Sequence, residues 1–163
     1  MAVDELQAGH IERIILTRPA VEAGEHLGFL PGDVDDKFAV YIEAFRDVLN
    51  ERLAKGAVDY FLRHGPIVAA PLAFMRGKTF GDDTFVILDE AQNTSATQMK
   101  MFLTRIGDNS KVVVNGDVAQ SDIRGTNGLA DAVSRIEGLA DVSLHEFCRD
   151  DIVRSGLVRK LLD

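Results

Sequence analysis

The sequence predicts an α/β fold, a three-layer arrangement in which a parallel sheet carries helices on both faces. Two apolar runs, 84–88 and 111–115, are long enough for strands that are buried on both sides. Segments with apolar residues at helical spacing alternate with such runs, most clearly at 34–55. Because this alternation is typical of parallel sheets, we expect that class.

The individual elements follow from apolar spacing, capping residues and the positions of glycine and proline. In chain order, helices are predicted at 2–8, 34–55, 58–63, 95–106, 128–136 and 151–162. Strands are predicted at 11–17, 67–70, 84–88, 111–115 and 142–147. Loops are predicted at 20–33, which is rich in glycine and proline, and at 71–83. Ser95 or Thr94 is the expected N-cap of the helix 95–106, and Gly107 is its expected stop.

The helix at 34–55 shows the most regular pattern. Its apolar side chains recur three or four positions apart, at Phe38, Tyr41, Ile42, Phe45, Val48, Leu49 and Leu53. Charged residues fill most of the remaining positions, so one face is expected to pack on the sheet. The strands are shorter apolar runs, and dipeptides such as Arg18-Pro19 and Gly116-Asp117 end them.

Composition limits the classes of function. A chain of 163 residues is expected to form a single domain over 1–163. The net charge of −8 argues against tight, sequence-independent binding of nucleic acid, although it is compatible with a local patch of basic residues. No segment has the roughly 18 apolar residues of a membrane span, and the start lacks a signal pattern, so a cytoplasmic protein without membrane contact is expected.

Cysteine and histidine usage points to no site. The single cysteine, Cys148, permits no internal disulfide and is expected to be a small core residue rather than a nucleophile. The four histidines show no metal-ligand spacing, so no zinc site is expected.

Two adjacent carboxylates, Asp89 and Glu90, directly follow the apolar run 84–88. In open α/β sheets ligands bind beyond the carboxyl ends of the strands, where this pair is placed. Phosphate-splitting NTPases use such a pair, with the Asp holding Mg²⁺ and the Glu polarising the attacking water. The alternative is that Asp89 and Glu90 only help to start the helix near Ser95.

A second strand of the predicted sheet also ends in polar residues. Gly116, Asp117 and Gln120 follow the run 111–115. Two parallel strands present their carboxyl ends at one crevice, so these residues are expected near Asp89 and Glu90. A glutamine there can hydrogen-bond both a terminal phosphate and the attacking water. The alternative is a plain turn, which Gly and Asp favour for backbone reasons.

Long motifs along nearly the whole chain resemble the PhoH-like family. They include Thr-Arg-Pro-Ala-Val-Glu-Ala-Gly-Glu (17–25), Leu-Gly-Phe-Leu-Pro-Gly-Asp (27–33), Ala-Pro-Leu-Ala-Phe-Met-Arg-Gly-Lys-Thr (70–79), Ile-Leu-Asp-Glu-Ala-Gln-Asn-Thr (87–94), Gln-Met-Lys-Met-Phe-Leu-Thr-Arg-Ile-Gly (98–107) and Asp-Ile-Val-Arg (151–154). The resemblance implies a RecA-like P-loop NTPase core that is related to helicases and linked to RNA metabolism.

The resemblance also implies roles for individual residues, with ATP and Mg²⁺ as cofactors. Asp89 is the Mg²⁺ ligand and Glu90 the group that activates water. Nucleotide contacts are implied for Gln92, Gly116 and Asp117. Gln120 couples the nucleotide state to a bound strand. Arg154 reaches a terminal phosphate, or alternatively forms a surface ion pair with Asp150 or Asp151.

Four residues are expected to touch nucleic acid. Thr17 and Arg18 lie in the Thr-Arg-Pro loop, where helicase-like proteins contact a nucleic acid backbone, and they offer a hydroxyl and a fixed cation. Arg76 and Lys78 lie on an exposed loop and are either RNA contacts or solvated charges. The implied partners are RNA, an RNA-processing protein and a second copy of the chain.

The chain departs from the family in one respect. P-loop ATPases hold phosphate in a glycine-rich cradle that ends in Gly-Lys-Thr or Gly-Lys-Ser. Gly77-Lys78-Thr79 does not qualify, because Leu72 stands at the required earlier glycine and a strand is predicted next. We therefore expect the chain to be N-terminally incomplete, with an exposed sheet edge at 111–115. The alternatives to an ATPase are a non-catalytic subunit or RNA-associated adaptor and a metal-dependent nuclease.

Overall fold

The computed structural model describes residues 1–19, 34–54, 56–123, 125–148 and 151. The strands are β1 (Arg13–Arg18), β2 (Ile67–Pro71), β3 (Thr84–Leu88) and β4 (Lys111–Val114). The α-helices are α1 (Ala2–Gln7), α2 (Val34–Arg52), α3 (Ala57–His64), α4 (Ala96–Leu103) and α5 (Gly128–Ile136). Short 3-10 helices occupy Leu72–Met75, Ala91–Asn93 and Val118–Gln120.

The four strands form one parallel sheet in the order β2-β1-β3-β4. The central strand β1 sets Ile14 opposite Ile67 on one side and Phe85 on the other. The α/β class predicted from the sequence is confirmed. Because all four strands run the same way, their carboxyl ends lie together along one end of the sheet. This end is called the carboxyl edge, and it is distinct from the lateral edges formed by β2 and β4.

Both faces of the sheet are covered. On one face Ile14, Leu16 and Phe85 belong to a core that also contains Val3 of α1 and Val58 of α3. Alternate residues of the same strands point to the other face, and these are buried too: Ile15, Thr17, Val86 and Leu88. Burial on both sides explains why β3 reads as an unbroken apolar run.

The start of α4 is encoded locally. The Ser95 side chain accepts a hydrogen bond from the Gln98 backbone N–H at 3.2 Å, and the Gln98 side chain accepts from the Ser95 N–H at 2.9 Å. This reciprocal pair is a capping box, and it shows that Ser95 rather than Thr94, the other predicted candidate, is the N-cap. The helix ends at Leu103, three residues before the predicted end.

The run 111–115 was predicted as a buried strand, which is wrong for β4, whereas the exposed sheet edge expected at 111–115 is present in the structure. The residues of β4 alternate between exposed and half-buried, and Val113 is 42% exposed. The reason is its position at one edge of the sheet, where it pairs only with β3 among the described residues. An edge strand has a neighbouring strand on one side only, so less of its surface is covered.

The chain divides into two compact units, 1–132 and 133–163. In the second unit, 142–147 has no regular structure and is exposed, so the strand predicted there is wrong. Its alternating apolar pattern suits a strand, but a strand also needs a hydrogen-bonded partner. Cys148 is exposed, which corrects its expected burial. The predicted loop 20–33 and residues 152–162 of the predicted last helix lie outside the described residues.

No helix in the described part of the chain is long and apolar enough to cross a membrane.

An ion pair ties the edge strand to α1. The Lys111 ammonium donates to the Glu5 carboxylate at 2.5 Å, and this hydrogen bond holds the pKa of Glu5 below its usual value of 4.5. A carboxyl group whose pKa is lower in the folded than in the unfolded state adds to the free energy of unfolding at pH values above the unfolded-state pKa. This added stability is lost as the pH falls through the folded-state pKa. We expect an NMR titration of Glu5 to show a midpoint below 4.5 that rises toward it in Lys111→Met.

The matched control is Lys100→Met, which removes an exposed ammonium from α4. It should leave the Glu5 midpoint unchanged. An unchanged midpoint in Lys111→Met as well would contradict the assignment of the shift to this ion pair.

Candidate functional site

Polar residues of three strands meet at the carboxyl edge of the sheet. The backbone N–H of Asp89 donates to the Thr17 carbonyl at 3.0 Å, and the N–H of Asn115 donates to the Leu88 carbonyl at 2.8 Å. These bonds continue the strand pairing by one residue past β3 and β4. Arg18, Asp89 and Asn115 are therefore fixed side by side by the backbone.

The Asp89 carboxylate is hydrogen-bonded from both sides. Its Oδ2 accepts from Arg18 Nη2 at 2.6 Å and from Arg18 Nε at 3.1 Å. Its Oδ1 accepts from Asn115 Nδ2 at 2.9 Å. The Asp89 and Arg18 side chains are only 17% and 20% exposed, so water screens the attraction between them less than it screens an exposed ion pair.

Glu90 is held in an unusual backbone conformation. It has φ 54° and ψ 37°, the left-handed region that non-glycine residues seldom adopt. Its Oε2 accepts from Gln92 Nε2 at 2.6 Å, and its Oε1 lies 3.5 Å from Arg18 Nη2. The side chain is 41% exposed, so Glu90 presents a positioned carboxylate to solvent at the rim of the core.

Gln92 joins the two polar strand ends. It is 2% exposed, and while its Nε2 donates to Glu90, its Oε1 accepts from the Asp117 backbone N–H at 3.1 Å. Asp117 in turn accepts from Gln120 Nε2 at 2.8 Å. Hydrogen bonds thus run from Glu90 through Gln92 and Asp117 to Gln120, so the predicted residues of both strand ends belong to one network.

The site requires a glycine at position 116. A Cβ built on Gly116 would lie 2.6 Å from Gln92 Oε1 and 2.9 Å from the Gln92 backbone nitrogen. A larger residue would therefore push the 116–120 segment away from Gln92. Close approach of the backbone, rather than a left-handed turn, explains this glycine.

Several residues that hold the site were not predicted. Ser121 Oγ and Asn127 Nδ2 both donate to the Gln92 carbonyl, at 2.9 and 2.8 Å, and the Asp122 N–H donates to Asn93 Oδ1 at 2.9 Å. Asn115 is also absent from the residues that the sequence predicts for the site. The usable signal was its place as a polar residue at the end of the predicted strand 111–115. In the structure it lies one residue beyond the pairing of Leu88 with Val114.

The residues predicted to touch nucleic acid are in different situations. Thr17 is completely buried, and its hydroxyl has no hydrogen-bond partner among the described residues. Arg18 is engaged with Asp89. Arg76 and Lys78 are exposed after the 3-10 helix Leu72–Met75, and the next α-helix begins only at Ala96, which agrees with rejecting a phosphate loop there. Arg154 lies outside the described residues.

Comparison with known proteins identifies the family. The family model described as PhoH-like protein matches residues 1–163. The chain belongs to the PhoH-like family. It is 49% identical over 99% of its length to a PhoH-like protein of Bacillus subtilis and 48% identical over 99% to Protein PhoH of Escherichia coli K12. It covers 51% and 46% of those two proteins, so it spans about half the length of these curated relatives.

PhoH-like membership, together with the all-parallel sheet, assigns the chain to the RecA-like α/β class expected from the sequence. That class brings an expected Mg²⁺, and the donors at Asp89 fit a hard cation because they are carboxylate oxygens. In the described part of the chain, no cluster of three or more His, Cys, Asp or Glu residues is arranged to hold a metal. Mg²⁺ is commonly bound by one or two carboxylates together with substrate phosphates, and Asp89 with Glu90 matches that mode.

Proposed function

We propose that this PhoH-like chain provides the Mg²⁺ and water-activating side of an ATP-hydrolysing site. The observation that supports the proposal most is the placement of Asp89 and Glu90 at the carboxyl edge of a parallel sheet. There Arg18, Asn115 and Gln92 fix both carboxylates. A ligand entering this edge meets two oriented acids without any rearrangement of the backbone.

Each residue of the network has a proposed part in hydrolysis. Asp89 supplies an oxygen ligand for Mg²⁺, which offsets phosphate charge when it is bound. Glu90 accepts a proton from water, and its fixed backbone aims the carboxylate. Gln120 contacts the terminal phosphate, and a change there is transmitted to Glu90 through Asp117 and Gln92.

We further propose that hydrolysis serves RNA metabolism, with the RNA backbone bound by exposed cations. Arg76 and Lys78 are the best candidates because both are exposed beyond the carboxyl end of β2. Thr17 is completely buried and Arg18 is paired, so neither offers a free donor to RNA in this arrangement. A contact to RNA through two cations should weaken only modestly as salt is raised, with a slope of log affinity against log salt concentration of about −1.4 for single-stranded RNA.

The test is ATP turnover by the chain and by a longer version to which a glycine-rich phosphate-binding loop has been added upstream. We expect Glu90→Gln to lower kcat about 10²–10⁴-fold while ATP still binds, because the amide keeps the shape of the side chain but cannot take a proton. Glu51→Gln, which neutralises an exposed carboxylate on α2, should leave kcat unchanged.

Two results would favour other functions. Absence of both ATP binding and turnover in the longer version would support a non-catalytic module that keeps the fold. Metal-dependent RNA cleavage that is lost in Asp89→Ala but insensitive to nucleotide would support a nuclease.

A further inference from the structure

We infer that Arg18 is the resident counter-cation of Asp89 and Glu90, and that Arg18 and a divalent cation exclude one another from the Asp89 carboxylate. The inference rests on the proposed function in that it concerns the same carboxylates. It goes further by assigning to Arg18 a role in cation loading rather than in RNA contact.

The donors around the two carboxylates differ in charge. Asn115 and Gln92 donate through neutral amides, to Asp89 Oδ1 and to Glu90 Oε2. Arg18 donates two N–H groups to Asp89 Oδ2 and reaches Glu90 Oε1 at 3.5 Å. The amides can therefore remain in place beside a metal ion, whereas the guanidinium is repelled by it.

The position of Arg18 is that of a substitute for a metal ion. Both of its N–H groups converge on the single oxygen Oδ2 instead of spreading over the two oxygens of Asp89. The same guanidinium also lies between the two acids, as a shared cation would. Its charge offsets two carboxylates that would otherwise repel each other at the rim of the core.

Arg18 also has a second contact that reports its position. Its Cζ lies 5.8 Å from the centre of the half-buried Phe45 ring on α2, within cation–π range. When Arg18 leaves Asp89, this distance changes. Since the chain has no tryptophan, Phe45→Trp places a single tryptophan at that contact, whose emission can be excited selectively beside the two tyrosines.

The first test measures Mn²⁺ affinity by equilibrium dialysis, with Mn²⁺ alone as the probe. Arg18→Gln is expected to bind Mn²⁺ about tenfold more tightly than the unmodified chain, and Arg18→Lys to bind it about as weakly as that chain. Asp89→Asn should abolish the gain in the Arg18→Gln background, which locates the ion. Equal Mn²⁺ affinity in the unmodified chain and in folded Arg18→Gln overturns the inference.

The matched control is Arg46→Gln. The ion pairs of Arg46 are with Glu43 and Asp59 rather than with Asp89 or Glu90, so its loss should leave Mn²⁺ affinity unchanged. A gain in affinity in Arg46→Gln equal to that in Arg18→Gln would show a general effect of net charge and would also overturn the inference.

The second test uses the Phe45→Trp chain and does not depend on the stability of Arg18→Gln. Titration with MgCl₂ is expected to shift the tryptophan emission as Arg18 moves away from the ring. An unchanged tryptophan emission while dialysis shows bound Mg²⁺ would contradict the inference.

The two proposals can fail separately. If ATP turnover fails but the Mn²⁺ and fluorescence results hold, the proposed function is lost and the role of Arg18 remains. If ATP turns over but Arg18→Gln gains no Mn²⁺ affinity, the proposed function stands and the inferred role of Arg18 is wrong.

Discussion

Phe102→Ala is expected to lower the free energy of unfolding of the 1–132 unit by about 3–5 kcal/mol. Phe102 on α4 is 0% exposed, and its ring packs against that of Phe80, with centroids 5.4 Å apart. Truncation removes the buried ring and leaves a cavity that Phe80, also 0% exposed, cannot fill without moving. Chemical denaturation followed by circular dichroism measures the change.

The chain offers a matched control in Phe74→Ala. Phe74 has the same side chain but is 48% exposed, so its truncation is expected to change stability by about 0.5 kcal/mol or less. Similar losses in Phe102→Ala and Phe74→Ala would show that Phe102 does not contribute to a closely packed core.

Gly128→Ala is expected to lower the free energy of unfolding by about 1–3 kcal/mol, which chemical denaturation followed by circular dichroism measures. A Cβ built on Gly128 would lie 2.5 Å from the Ser95 carbonyl oxygen and 2.6 Å from Thr94 Oγ1. The added methyl would push the start of α5 away and break the hydrogen bond from the Gly128 N–H to the Thr94 carbonyl. Helix propensity favours Ala over Gly by about 1 kcal/mol, and the clash with fixed backbone outweighs it.

Gly81→Ala is the comparison for this substitution. Gly81 is exposed, and a Cβ there would meet nothing within 4 Å. Its replacement is expected to change the free energy of unfolding by at most about 0.5 kcal/mol. A Gly128→Ala chain as stable as Gly81→Ala would mean that the contact between α5 and residues 94–95 yields easily.

The parts of the fold predicted well from the sequence are those with local causes. The bounds of β3 and α5 were predicted to the residue, β3 because it is an apolar run bounded by polar residues. Ser95 was one of two N-cap candidates, with Thr94, because a capping side chain acts within three residues of itself.

The errors arose where structure depends on distant partners. The valines of β4 indicate a strand, but its exposure depends on whether another strand lies beside it. The 142–147 pattern is equally suited to a strand and lacks regular structure.

The candidate site shows the same division. The Asp89-Glu90 pair and Gln120 were found from their position after apolar runs. The pairing of Arg18 with Asp89, 71 residues apart, and the bridge that Gln92 makes to Asp117 follow from the strand order, which periodicity alone does not specify. Local spacing could therefore identify the acids but not the groups that orient them.

The left-handed backbone at Glu90 has a consequence for how this position can vary. A non-glycine residue held there costs on the order of 1–3 kcal/mol, and glycine or asparagine would adopt the same angles more comfortably. Glutamate at position 90 therefore lowers the free energy of unfolding relative to a residue that adopts these angles without strain. Replacement of Glu90 by glycine would therefore be expected to relieve this backbone strain and, at the same time, to remove the carboxylate from the carboxyl ends of the strands.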